Sequence, residues 1–275
     1  MTPPNRQRES FNAIAEDYDA ARPGYPDALV DDVVALSNLP DDGFILEVGC
    51  GTAQATLPFA QRGSRVTALD LGARMVALAR EKLEPFPKVS VQQSSFEEFD
   101  AEAGSFDLVM AATAWHWVRP EVGYAKAARL LKPSGNLAIF SNLHPKPYTG
   151  FFETARPLYE EAYGPGEPEP STEKEIAAIA EAISSSGYFP RVEVRTYPWM
   201  QTYTTGNYLR LLNTYSDHLA LEPAKRARLF EKLADHLERD YGGVIEKPYL
   251  SVLFVASVSR VPADIALTKR EVVLD

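Results

Sequence analysis

The chain has 275 residues, 45% of them hydrophobic, and a formal net charge of -10. That length allows one large α/β domain or two small ones, and the apolar share can supply a core. The acidic balance excludes broad polyanion binding, which rests on Lys and Arg neutralising phosphates, so no nucleic-acid partner is expected. Lys225, Arg226 and Arg228 read as a solvated helix face. The only cysteine, Cys50, cannot form an intrachain disulfide, in keeping with a reducing cytoplasm. Met1 to Ser10 is polar and lacks an apolar signal core. Leu250 to Val258 is the longest apolar run, far short of the ~20 residues that span a bilayer, so no membrane partner is expected. No Cys/His cluster with ligand spacing suggests a metal site.

Phe11 to Tyr25 is rich in aromatic and charged side chains. It reads either as a helix packed through Phe11, Ile14 and Tyr18, or as a segment whose Tyr18 and Arg22 donate to a ligand carboxylate. Pro26 to Leu36 places Leu29, Val30, Val33, Val34 and Leu36 on one helical face. The run Phe44 to Val48 reads as a buried strand. It stops at Gly49 and Gly51, which let the backbone turn tightly beside a ligand. Thr52 to Gln61 looks helical, with Gly63 placed for a left-handed cap. Strand, glycine loop and helix together present backbone N–H groups to a nucleotide-like ligand. The dinucleotide fingerprint wants a third glycine at position 54, which is Gln54 here. Glu47 would repel a pyrophosphate but suits an amine. The loop therefore favours S-adenosylmethionine over NAD.

Arg65 to Asp70 is the second strand. Asp70 lies roughly 20 residues past the loop, where a carboxylate accepts ribose hydroxyls; capping the next helix is its other reading. Leu71 and Met75 would flank an adenine. Lys88 to Gln93 is a third strand, followed by Ser95 and Phe96. Phe106 to Ala111 is a fourth, and Asp107 at its start reads as structural. That strand empties into Ala112, Thr113, Trp115, His116 and Trp117, at the edge where ligands sit in a doubly wound sheet. A helix from Pro120 to Leu131, a turn at Lys132 to Gly135 and a fifth strand from Asn136 to Phe140 come next. Gly164 to Pro170 is a turn-rich break, and Thr172 with Glu175 forms a capping box for a helix to about Ser186. Arg191 to Trp199 alternates as a sixth strand. Helices at about Thr205 to Leu219 and Pro223 to Tyr241 precede a last strand, Pro248 to Val258.

Glu47-Val-Gly-Cys-Gly-Thr-Ala resembles motif I of the class I S-adenosylmethionine-dependent methyltransferases, with Ala53 in place of a third glycine. Ser105-Phe-Asp-Leu-Val and Leu131-Lys-Pro-Ser-Gly resemble later motifs of that family. Tyr18-Asp19 with Arg22-Pro-Gly-Tyr-Pro is similar to the start of its small-molecule subset, the trans-aconitate and ubiquinone-type enzymes. The resemblance implies an α/β, Rossmann-like, doubly wound sheet of seven strands in the order 3-2-1-4-5-7-6, the last antiparallel. It implies an N-terminal segment over residues 1–42, a catalytic domain over 43–260 with a helical cap at about 200–243, and a tail over 261–275. The implied cofactor is S-adenosyl-L-methionine. Its implied contacts are Tyr18, Arg22, Glu47, Gly49, Cys50, Gly51, Thr52, Asp70, Leu71, Met75, Ser95, Phe96, Ala112, Thr113 and Trp115. Cys50 would serve as filler with an accessible backbone amide.

Methyl transfer from a sulfonium needs alignment, desolvation and, for a hydroxyl or amine acceptor, a base. His116 and His144 stand at strand ends and are the candidate bases. A carboxylate acceptor would need a cationic clamp instead, from Arg22, Arg119, Lys146 or Arg210. Trp115, Trp117 and Tyr18 could face the sulfonium. The expected partner is a small-molecule methyl acceptor. Two competing readings are an NAD(P)-dependent oxidoreductase, which would want the missing glycine, and a non-catalytic S-adenosylmethionine-binding protein.

Overall fold

A computed structural model describes residues 11–166 and 169–259. The first ten residues of the expected N-terminal segment, Glu167 and Pro168 of the turn-rich break, and the expected tail lie outside the described residues.

Seven strands form one sheet: β1 (Phe44–Val48), β2 (Arg65–Asp70), β3 (Val89–Gln93), β4 (Phe106–Ala112), β5 (Leu131–Leu143), β6 (Val192–Thr204) and β7 (Val244–Ser257). Their order is β3-β2-β1-β4-β5-β7-β6. The first five run parallel, and β7 is antiparallel to both β5 and β6. Continuous apolar runs in β1 and β4 suit strands covered on both faces. Successive side chains leave a strand on opposite faces. Ile45 and Leu108 accordingly join Phe59 and Phe140 on one side, while Leu46 and Val109 join Leu137 and Phe254 on the other.

The helices are α1 (Ala15–Ala21), α2 (Asp27–Leu36), α3 (Thr56–Gln61), α4 (Ala73–Leu83), α5 (Pro120–Leu130), α6 (Phe151–Thr154), α7 (Arg156–Tyr163), α8 (Thr172–Ser184), α9 (Thr205–Leu212), α10 (Ser216–Ala220) and α11 (Pro223–Tyr241). A third core, built on Phe151, Tyr208, Leu211, Leu229, Leu233 and Leu237, holds α6, α9 and α11 together.

Several boundaries differ from those read off the sequence. The helix after the glycine loop starts at Thr56 because Ala53 adopts a φ of +72°, which no right-handed helix tolerates. The stretch Lys132 to Gly135, expected as a turn, continues into β5, with a register shift between Phe106 and Leu108. β6 and β7 pair from Val192↔Ala256 out to Thr204↔Val244, well beyond the expected strands. The helix expected from Thr205 to Leu219 breaks between α9 and α10, leaving Asn213, Thr214 and Tyr215 in a turn. Ser171, rather than Thr172, caps α8 by accepting from the Lys174 amide; the Thr172 hydroxyl instead accepts from the Lys146 amide.

Asp107 fastens the start of β4, as its sequence position suggested. Its carboxylate accepts from the Phe44 amide at 2.8 Å and pairs with the Lys132 ammonium at 2.8 Å. Truncation would strand a backbone donor and a lysine together. Asp107→Ala should therefore lower the unfolding free energy by about 1–3 kcal/mol in urea titrations, without moving ligand affinity.

Candidate active site

The ends of β1, β2, β4 and β5 open onto two adjoining cavities of about 350 and 260 Å³. Both are walled by Tyr18, Arg22, Gly49, Ala112, Thr113 and Tyr215, so they meet at the tips of β1 and β4. A break of strand order lies there: β1 pairs with β2 on one side and β4 on the other, the crevice where parallel sheets take ligands.

The glycine turn is pinned to β2. The Cys50 amide donates to Leu69 O at 2.8 Å, and the Gly51 amide donates to Asp70 Oδ2 at 2.9 Å. Asp70 Oδ1 accepts from the Gly72 amide at 2.8 Å, so this carboxylate also tethers the start of α4. Burial raises its pKa, and the Gly72 and Gly51 amides oppose that rise. The Cys50 amide was expected to face a ligand; the bond to Leu69 occupies it. Gly49 turns at a φ of +71°, and a Cβ there would fall 2.6 Å from that of Ala114. A Cβ on Gly51 would touch the Tyr18 ring at 3.4 Å, so Tyr18 lies directly over the turn.

In the outer cavity Asp70, Leu71, Met75, Ser95 and Phe96 gather along one wall. His116 and Trp117, with Ser216 and Asp217 of α10, complete its lining. Thr52 and Trp115 are not part of either wall. The turn after Gly51 buries Thr52, whose hydroxyl accepts from Gln54 at 2.6 Å. Trp115 turns instead toward Phe96 and Tyr124, with ring centroids 5.9 and 5.3 Å away.

The inner cavity holds the unusual electrostatics. Glu47 is fully buried, and neither carboxylate oxygen has a hydrogen-bond partner among the described residues. Burial first, and Asp70 nearby, push its pKa up to about 7, against a lowering by the Thr56 hydroxyl. An isolated carboxylate shed from water keeps its proton until a cation arrives. His144 lines the same cavity, its Nε2 shielded and without a hydrogen-bond partner among the described residues. Burial, then Lys247 and Lys146, take its pKa down to about 3.

Arg22 is held from the cap. Its Nε donates to Thr214 Oγ1 at 2.8 Å and its Nη2 to Thr214 O at 2.7 Å, while the guanidinium lies 4.5 Å from the Tyr215 ring centroid and 5.0 Å from that of Tyr18. The break between α9 and α10 places Thr214 and Tyr215 against that guanidinium. Of the other clamp candidates, Arg119 pairs with Glu97, Lys146 with Glu169, and Arg210 with Asp17, and none of the three cations lines either cavity.

Two participants, Tyr25 and Lys247, escaped the sequence reading. Tyr25 bonds Thr113 at 2.7 Å, and Thr113 carries a φ of +54°, held also by its amide on Phe140 O. A β-branched residue there stores strain of about 1–3 kcal/mol, a pattern common at functional sites. Lys247 lines the inner cavity at 4% exposure. Its signal was the alternation of buried Ile245, Lys247, Tyr249 and Ser251 along β7.

Residues 46–139 match the family model described as a methyltransferase domain. An uncharacterized methyltransferase-like protein of Schizosaccharomyces pombe is 32% identical over 135 residues, 49% of this chain and 52% of that protein. A ubiquinone biosynthesis O-methyltransferase of Xanthomonas campestris is 33% identical over 139 residues, 50% and 52% of the two chains. The chain thus spans about half the length of these curated relatives. Among solved structures, a protein of Anaeromyxobacter dehalogenans, provisionally described as a type II methyltransferase, shares the fold with a TM-score of 0.61. That likeness covers 86% of this chain and 96% of the other at 23% identity. Residues 46–139 are thus similar to a methyltransferase domain, and the chain shares its fold with that solved structure.

Gly49 tests the turn. Gly49→Ala combines a disfavoured φ with a clash against Ala114, and should cost at least about 2 kcal/mol of stability in thermal or urea unfolding.

Proposed function

We propose that the chain transfers a methyl group from S-adenosyl-L-methionine to a small-molecule acceptor. One observation carries this reading: adjacent parallel strands end in two carboxylates, and the inner one, Glu47, is buried without a partner. A nucleoside linked to an amino acid satisfies both. Asp70 would take the ribose hydroxyls with its remaining acceptor capacity. Leu71, Met75 and Phe96 would hold the adenine, with Ser95 at its edge. Glu47 would receive the α-ammonium, and Arg22 with Tyr18 the α-carboxylate. When bound, the cofactor supplies a methyl group activated by a positively charged sulfur.

The chain's own residues then align and dry the site. Tyr18 covers the glycine turn from the N-terminal segment, Tyr215 lines both cavities from the cap, and Arg22 ties those two elements together. Excluding water strengthens each electrostatic contact inside. For an acceptor that loses a proton, His116 is the better base of the two candidates. His144, held near 3, accepts hydrogen bonds but takes up a proton poorly at neutral pH. The similarity to a ubiquinone biosynthesis O-methyltransferase supports a small-molecule acceptor.

Glu47 gives a pH test whose sign follows from its raised pKa. In the free protein the carboxyl titrates near 7, and pairing with an ammonium requires the ionised form. Affinity for S-adenosylhomocysteine should be highest just above that value, where the carboxylate and the ligand's ammonium are both ionised, and weaken as pH falls through it. Below about pH 7 the loss should approach tenfold per unit in calorimetry. Glu47→Gln should bind at least about tenfold more weakly at pH 8 and lose this dependence. Binding by Glu47→Gln equal to that of wild type would remove the ammonium assignment. Turnover is checked with methyl-labelled donor and a small-molecule extract: label should enter an acceptor, and tight cofactor binding with no transfer would mark a non-catalytic binder.

A further inference from the structure

We infer that Lys247 is the anchor for an acidic group on the methyl acceptor, so that the inner cavity takes a small organic anion. This rests on the methyl-transfer reading above and narrows its substrate class.

Placement comes first. Lys247 sits on β7 with its neighbour Tyr249 two residues on, and β7 borders the end of β5, where His144 follows. Its ammonium lies 4.4 Å from the Tyr249 ring centroid and 5.2 Å from that of Phe152. Among the described residues it has no carboxylate partner. A lysine that deep is nearly always paired, since removing an ammonium from water is costly. Aromatic faces offset part of that cost and leave its hydrogen-bonding capacity directed at the cavity.

Charge decides the kind of ligand. The inner cavity is lined by two cations, Arg22 and Lys247, and by one carboxylate, Glu47. A bound cofactor would bring an ammonium, a carboxylate and a sulfonium. Glu47 and Arg22 answer the first two. Lys247 and the sulfonium then remain as two positive charges facing the same space, and an anionic acceptor neutralises them. Tyr18, Tyr25, Tyr215 and Tyr249 line that space, and their aromatic side chains suit an unsaturated body. In the free protein, burial and Arg22 bring the Lys247 pKa down to about 7; an incoming anion reverses that shift. The other groups facing it are His144 and the tyrosine hydroxyls of the cavity.

The test uses the full chain saturated with S-adenosylhomocysteine and three probes: benzoate, phenyl phosphate and uncharged benzyl alcohol. Calorimetry should show saturable binding of at least one anion, with benzyl alcohol at least tenfold weaker. The preferred anion separates a carboxylate from a phosphate acceptor. Lys247→Met should lose at least tenfold for the anions, leave benzyl alcohol unchanged, and keep S-adenosylhomocysteine affinity within threefold. Lysine side-chain ¹³C NMR on the wild-type protein covers the case of a misfolded variant: benzoate should raise the Lys247 midpoint by at least one pH unit. Equal anion binding by Lys247→Met, no saturable anion binding, or an unmoved midpoint overturns the proposal. Failure of wild type to bind S-adenosylhomocysteine at all overturns the parent reading instead.

Discussion

A hydrogen bond from the Gly51 amide to Asp70 joins the glycine turn to the end of the neighbouring strand. With the Cys50 amide on Leu69 O, it converts a flexible loop into a rigid rim. The approach of Ala114 and Tyr18 to the crevice depends on that rim. Gly49 can approach Ala114 only because it lacks a Cβ, and Tyr18 can rest on Gly51 for the same reason. Asp70 belongs to the scaffold as much as to the site, since it also holds the Gly72 amide at the start of α4.

Rigidity permits Glu47 to remain buried. A mobile loop would let water reach the carboxylate or let it swing out, and its proton affinity would return to normal. Here the fold accepts an unpartnered acid at the tip of β1 and leaves it protonated near neutrality. Such a group opposes folding whenever it ionises, because its pKa lies above the unfolded value. Retaining it makes physical sense where a cation visits. Lys247 presents the complementary case on β7, a buried lysine with no carboxylate partner among the described residues. The two line one cavity.

Much of this could be read from residue order. The run Phe44 to Val48, its glycines, and Asp70 at the next strand's end have local signatures, and the structure places Glu47 and Asp70 on adjacent parallel strands. Other features depended on distant contacts. Ala53 gave no warning of a left-handed backbone, so α3 starts four residues later than its composition suggests. Trp115 was expected beside the cofactor because it follows β4; packing against Tyr124 on α5 decides its direction. Lys247 was hidden because Val244 to Lys247 resembles a polar link after two glycines. Pairing with β6, whose last residues resembled the start of the helical cap, makes it strand and turns the lysine inward.

The N-terminal segment and the cap also meet through contacts that no local pattern encodes. Arg22 finds Thr214 across 192 positions, and Asn213 reaches Asp17 in the same joint. A break in a predicted helix proved to be the useful part of it, because the turn carries Thr214 and Tyr215 to the crevice. The central claim is that Glu47 waits for an ammonium while Asp70 waits for a ribose. A crystal structure with S-adenosylhomocysteine tests it most directly. The account predicts the amino nitrogen in hydrogen-bond contact with Glu47 and the ribose hydroxyls on Asp70; a ligand bound elsewhere, or a Glu47 still without a partner in the complex, would contradict it.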